Sequence, residues 1–425
     1  TSGNPMKFSK MGQFVSGESG IVQLMNDLGE IQSAQRSFNL LGGGNPARIP
    51  EVESRFRLSI EHLVRQDGHF EHFIGQYDGP QGNLPFRQSI AELLKKECGW
   101  PVEADNIALT NGSQESFFIL FNLFAGEHDD NQFRRILLPL TPEYIGYFDA
   151  GLGRDLFRTY RPKIEHLGPH RFKYRVDFDN LAVAGDVGAL CVSRPTNPTG
   201  NVLTDTELEQ LRQLAAEHNV PLLIDGAYGL PFPNIVFSQA TPMWDDNTIV
   251  CLSLSKIGLP GVRTGIVVAN TQVTEAIRGA NAILNLAPSS FGPLLAQQLL
   301  NSGQLIGLAE NNIQPYYRSR LEQAMHWLDV ALEGTPYRIH VAEGAFFLWL
   351  WLEGLPVSSD LLYQRLKARD TLVISGSHFF PDSGTSWPHR HECLRISYAQ
   401  APEQVEHGIR IIGEEVRSAY AEGSA

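Results

Sequence analysis

The chain has 425 residues, with 47 Asp plus Glu against 34 Lys plus Arg and a formal charge of -13 at neutral pH. A surface that acidic repels a phosphodiester backbone, which argues against nucleic acid as a partner. Apolar residues make up 42% of the chain, enough to fill real cores, while the apolar run FFLWLWL from Phe346 is far too short to cross a bilayer as a helix.

The opening TSGNPMKFSK has neither an apolar h-region nor a small-residue cleavage pattern, so no secretory signal and no membrane segment are expected. Cys98, Cys191, Cys251 and Cys393 lie far apart without a C-x-x-C pair, which suggests no disulfide framework, no zinc site and a reducing, cytoplasmic setting. LGGGNPA meets the G-x-G-x-x-A spacing of a dinucleotide fingerprint through Gly42, Gly44 and Ala47. Pro46 interrupts the helix that must follow, and no βαβ unit surrounds it. The histidines of HFEH (69–72) and HRHEC (389–393) lack a partnered cluster, so surface or packing roles are expected and no metal site.

Ser113 to Phe124 reads as a helix opened by the polar NGSQ, which offers capping residues and free backbone N–H groups. From Arg135 to Asn270, short runs rich in Val, Ile and Leu (RRILLPL, GALCVSRP, VPLLIDGAY, TIVCLSLS, TGIVVAN) alternate with helical stretches such as DTELEQLRQLAAEHN. That alternation predicts an α/β domain with a mostly parallel sheet buried on both faces. Beyond about Leu305 a long helical stretch runs to Leu332. Strands at YRIHV, FFLWLWL and CLRISYA follow, with helices near 358–369 and 402–420. Without strict alternation, these predict a second, smaller α+β domain.

Sites in parallel α/β sheets lie beyond the carboxyl ends of the strands. GALCVSRPTNPTG delivers Asn197 there; VPLLIDGAY delivers Asp225 and Tyr228; TIVCLSLSK delivers Ser253, Ser255 and Lys256. An amine with an acid, a tyrosine, an asparagine and a phosphate cradle is what pyridoxal 5'-phosphate (PLP) chemistry requires. Lys256 would condense with the cofactor aldehyde and move a proton at the substrate α-carbon, its pKa pushed down by burial beside Arg263. Asp225 would keep the pyridine nitrogen protonated, and Tyr228 and Asn197 would donate to the ring oxygen. Gly112, Ser113 and Gln114 at a helix start, completed by Ser253 and Arg263, would hold the phosphate. Taken singly, a strand-end Asp, a Tyr in GAY or a PTNPTG turn is more often structural. Their order and common placement at strand ends point to a site.

Through N-P-T-G (Asn197 to Gly200), D-G-A-Y (Asp225 to Tyr228) and S-L-S-K followed by G-x-R-x-G (Gly261 to Gly265), the sequence resembles the fold-type I PLP-dependent aminotransferases. LGGGNPA, YDGPQG, LTNGSQ, PEYIGY and WPHRHECLRISY extend the resemblance from about Gly42 almost to the C-terminus. It implies a seven-stranded sheet in the large domain and the same roles for Lys256, Asp225, Asn197 and Tyr228. It further implies Tyr144 stacked on the cofactor ring, Arg395 clamping the substrate carboxylate, and Gly43 and Gly44 near that carboxylate. Tyr77 would reach the cofactor phosphate of the other subunit of a homodimer. On this pattern residues 1–50 join the small domain, 51–303 form the large PLP-binding domain and 304–425 the small C-terminal domain.

Acidic-substrate members usually carry a cation near the segment that here reads NAILNLAPSSFGP, which has none. A pocket of Ile283 and Leu286 closed by Ile21 is therefore expected. The implied reaction is ping-pong transfer of the amino group of L-valine, alanine or 2-aminobutyrate to pyruvate or another 2-oxo acid. Rival readings are an aminotransferase of other neutral amino acids, a C–S lyase of the same fold, and a PLP-holding regulator. The last needs a basic DNA-binding segment, and the stretch before Leu41 is too short for one.

Overall fold

The computed structural model describes residues 6–33, 37–381 and 386–423. Its main sheet is built from runs whose residues are buried on both faces, as helix-covered parallel strands require. The strands are β1 (Ile107–Thr110), β2 (Phe133–Leu138), β3 (Phe157–Thr159), β6 (Val187–Ser193), β7 (Leu222–Asp225), β8 (Thr248–Ser253) and β9 (Gly265–Val268). Their order is β1-β9-β8-β7-β6-β2-β3, and a two-residue strand, Gly126–Glu127, pairs antiparallel with β2 and makes the sheet eight-stranded. The expected seven strands are thus present with a short addition, and β9 runs against its neighbours. β1 and β3 were not read from the sequence. Helix α2 (Ser113–Phe124) buries Phe117, Leu120 and Phe121 on this sheet. Helix α3 (Asp205–Glu217) starts with a Thr204–Glu207 capping box and buries Leu208, Leu211 and Ala215.

A second, six-stranded sheet has the order β12-β13-β11-β10-β5-β4. Here β4 is Lys163–His166, β5 Arg171–Arg175, β10 Tyr337–His340, β11 Phe347–Leu352, β12 Ile374–Ser375 and β13 Cys393–Ser397. The hairpin β4–β5 falls inside the 51–303 stretch, yet β5 pairs in parallel with β10. Phe172 and Tyr174 of β5 are buried there, so tertiary burial, not chain order, decides which sheet the hairpin joins. From the other end, Asn39–Leu40 pairs with Thr371–Leu372.

The helical stretch expected from about 305 to 332 is interrupted by a π-helical turn, Ala309–Ile313, before α4 (Gln314–Ala331). Pro315 has no N–H to return to the preceding turn, which accounts for the change of hydrogen-bond register. Helices α5 (Ser359–Ala368) and α6 (Pro402–Glu422) complete the C-terminal part, and α1 (Gly20–Ser33) lies at the N-terminal side. Among the described residues no helix is long and apolar enough to cross a membrane. All four cysteines are free.

Candidate active site

The carboxyl ends of β6, β7 and β8 open into a cavity of about 430 Å³. Pairing of Ser193 with Asp225, and of Asp225 with Cys251, brings these strand ends level. Asn197, Asp225, Tyr228, Ser253, Ser255 and Lys256 all line the cavity. From outside the sheet, Ser113, Gln114, Tyr144, Arg263, Gly43, Gly44, Ile21 and Arg395 line it too.

The Lys256 Nζ donates to the Gly44 carbonyl at 2.6 Å and lies 5.5 Å from the ring centre of Tyr228. Burial, then Arg395 and Arg263, push its pKa down to about 8 against the pull of Asp225. The sequence pointed to Arg263 alone; Arg395, 139 positions on, is the larger charge effect. Asp225 is buried, and burial holds its pKa above the ordinary carboxylate value. Its Oδ2 accepts from the Tyr147 hydroxyl at 2.6 Å and its Oδ1 from the Ala227 N–H at 3.0 Å, bonds that oppose that rise. Tyr147 was not among the sequence candidates, although PEYIGY contains it. Next to this acid, Glu143 accepts from both the N–H and the hydroxyl of Ser193, and burial pushes its pKa up to about 8.

Helix α2 begins without a side-chain cap: Gly112 stands at its N-cap with φ +104°. The capping expected of NGSQ is absent, which leaves the helix-start N–H groups facing the cavity. A Cβ at Gly112 would lie 2.8 Å from Arg263 Cζ, so glycine lets the guanidinium approach the helix start. Ser113 Oγ is buried with no hydrogen-bond partner. An orphaned hydroxyl, uncapped N–H groups and a guanidinium at one point fit a phosphate. Gln114 accepts from the Tyr144 hydroxyl at 3.1 Å and donates to the Gly146 carbonyl at 2.8 Å, tying the aromatic loop to this cradle.

Opposite, Arg395 of β13 is buried between the rings of Phe347 and Phe379, its Cζ 4.1 and 5.1 Å from their centres. It donates to Asn197 Oδ1 at 2.7 Å and to the Gly42 carbonyl at 2.6 Å. Burial lowers its pKa to about 10, and its remaining N–H groups stay free to bind an anion in the cavity.

The structure moves the apolar wall. Ile283 and Leu286 are 86% and 63% exposed and do not line the cavity. Helix Thr271–Asn285 buries Thr274, Ile277 and Asn281, and residue 283 sits about 200° round from residue 281. The wall is α1 instead, through Ile21, Leu24 and Leu28. Their i, i+3, i+7 spacing in GIVQLMNDL marks an apolar helix face, but only the packed chain turns that face toward the cavity. Tyr77 is 81% exposed and apart from the cavity. His389 packs on Trp387 with ring centres 4.6 Å apart, and among the described residues no His, Cys, Asp and Glu cluster could hold a metal.

Residues 71–412 match the family described as aminotransferase class I and II. The chain belongs to that family. It is 46% identical over 417 residues to the valine–pyruvate aminotransferase of Escherichia coli K12, covering 98% of this chain and 100% of that one. A crystal structure of a putative amino-acid aminotransferase from Psychrobacter arcticum 273-4 superposes with a TM-score of 0.95 at 44% identity, over 98% and 100% of the two chains. The crystal structure of valine–pyruvate aminotransferase from Salmonella typhimurium LT2 gives 0.87 at 46% identity, over 95% and 100%. The fold is accordingly the α/β fold of the class I and II aminotransferases, with a mixed main sheet.

Proposed function

We propose that this protein is a PLP-dependent aminotransferase that moves the α-amino group of L-valine, and of alanine and 2-aminobutyrate, to pyruvate. The observation that carries the reading is one cavity that joins Lys256, Asp225, the uncapped helix start and Arg395 to an apolar wall. Apart from Lys256, Arg263 and Arg395, no cationic side chain lines it among the described residues, so an acidic substrate side chain would find no partner.

When bound, PLP supplies an aldehyde that takes up the amino group and a ring that withdraws electrons from the α-carbon. Gly112, Ser113, Gln114, Ser253, Ser255 and Arg263 would hold the phosphate. Asp225 would keep a proton on the ring nitrogen, with Tyr147 steadying its other oxygen. Tyr144 would cover the ring, while Tyr228 and the amide nitrogen of Asn197 would donate to the ring oxygen. Arg395 takes the substrate carboxylate, backed by Asn197 and Gly42 and bordered by Gly43 and Gly44. That would fix the α-carbon near the Lys256 amine, which would take up the α-proton and hold it for delivery to the carbon on the far side of the amino nitrogen. A lysine whose pKa is near 8 is neutral often enough to act as that base.

Residues 51–303 would act as the cofactor-holding domain, and 304–425 with 1–50 as the domain carrying Arg395 and the wall. The family resemblance, with Tyr77 exposed, favours a homodimer in which Tyr77 would complete the partner's phosphate site. The expected setting is the cytoplasm.

Borohydride reduction of protein supplied with PLP, followed by peptide mapping, is expected to label Lys256. The cofactor absorbance should bleach with valine and return with pyruvate. A label elsewhere, or ammonia release in place of amino transfer, would overturn the assignment, the latter in favour of a C–S lyase.

A further inference from the structure

Helix α1 has two working faces. Ile21, Leu24 and Leu28 look into the cavity, whereas Asp27, about 100° round from Leu28, looks to the C-terminal part. There its Oδ2 accepts from the Tyr363 hydroxyl and its Oδ1 from Lys367 Nζ at 2.8 Å, both on α5. Among the described residues these are the side-chain hydrogen bonds that join α1 to another element. Helix α5 in turn is pinned to β12, with Ser359 Oγ 2.8 Å from Ser375 Oγ, and Ile374 of β12 stands opposite Arg395 of β13. A short continuous path of polar contacts and strand pairing therefore runs from the apolar wall to the carboxylate clamp.

We propose that Asp27 is a positioning residue that latches α1 to α5, so that the wall facing the substrate side chain and the arginine facing its carboxylate are held in one frame. The inference rests on the aminotransferase reading and deepens it: the latch sets side-chain selectivity without touching substrate. A 14-residue helix is marginal by itself in water, and its cavity face is small. Fixing it from the adjacent flank with a charged pair and a phenol is what holds Leu24 and Leu28 turned into the cavity. Alanine, whose methyl group offers the wall the least contact, should lose least when the latch opens.

The test compares wild type with Asp27→Ala, Asp27→Glu, Tyr363→Phe and Lys367→Met, each as PLP-loaded protein. Hydrogen exchange across residues 20–33 reads the latch directly. kcat and KM for alanine, 2-aminobutyrate, valine and leucine read its consequence. Asp27→Ala is expected to speed exchange in α1. It should also lower kcat/KM progressively with side-chain size, by about 10-fold for valine, through KM, and within about 2-fold for alanine. Tyr363→Phe and Lys367→Met should each give part of the effect, and Asp27→Glu should restore most of it. Unchanged exchange in the three disrupting variants overturns the latch. Faster exchange with an equal loss for every donor overturns its role in selectivity. Wild type that transaminates other donors but not valine overturns the substrate assignment, and the size-dependent loss along the donor series still judges the latch.

Discussion

Replacing Lys256 by Met in cofactor-free protein isolates the cost of burying an amine in a site that also holds Arg395 and Arg263. The native pKa of about 8 against an ordinary 10.5, at about 1.4 kcal/mol per pH unit, corresponds to roughly 3 kcal/mol. The side chain is only partly buried, so solvent screening brings the working figure to about 2 kcal/mol. Below pH 8 the amine is protonated in both folded and unfolded chains, and wild type carries the whole penalty. As pH rises from 8 to 10.5 the folded chain releases its proton before the unfolded one, and the penalty fades. Methionine has no such term but forfeits the hydrogen bond to Gly44, worth about 1 kcal/mol. The variant should therefore be the more stable protein at pH 7, by about 1 kcal/mol, and the less stable one at pH 10.5 by a similar amount. Urea unfolding of both proteins across that range measures it. Curves that stay parallel from pH 7 to 10.5 would refute the depressed pKa and with it the electrostatic account of Lys256 as a base.

Gly112→Ala would drive a Cβ into Arg263 at a positive φ; PLP affinity should fall at least about 10-fold by equilibrium titration, and Ser113→Ala should weaken it less. Tyr147→Phe removes the hydroxyl held 2.6 Å from Asp225 and should lower kcat about 10- to 100-fold, the range of a hydrogen bond to a charged group, with the cofactor absorbance shifted. Asn197→Ala takes away the 2.7 Å partner of Arg395; KM for every amino donor should rise in steady-state assays, whatever the side chain.

The residues proposed to act on the cofactor were legible in the sequence because each lies at or just beyond the end of an apolar strand, and strand ends in a parallel sheet converge on one edge. Lys256, Asp225, Asn197 and Tyr228 needed nothing beyond that periodicity to be picked out together. Gly112 and Ser113 were legible as a helix start, although the missing cap, which frees the N–H groups, was not. The apolar wall illustrates the limit. Ile283 and Leu286 follow the right motif, but which side of their helix faces the cavity depends on Asn281 being buried beneath it.

By itself the sequence determined the alternating α/β pattern, the grouping of the lysine-site candidates and the family, since these follow from side-chain type and local period. Tertiary structure alone decided that β4 and β5 leave the main domain's stretch for the second sheet. It also decided that Tyr147 braces Asp225, that Arg395 outweighs Arg263 at the amine, and that α1 supplies the wall. Each of these depends on contacts between segments tens to hundreds of residues apart. Burial and charge at such contacts are properties of the packed chain, which no local pattern encodes.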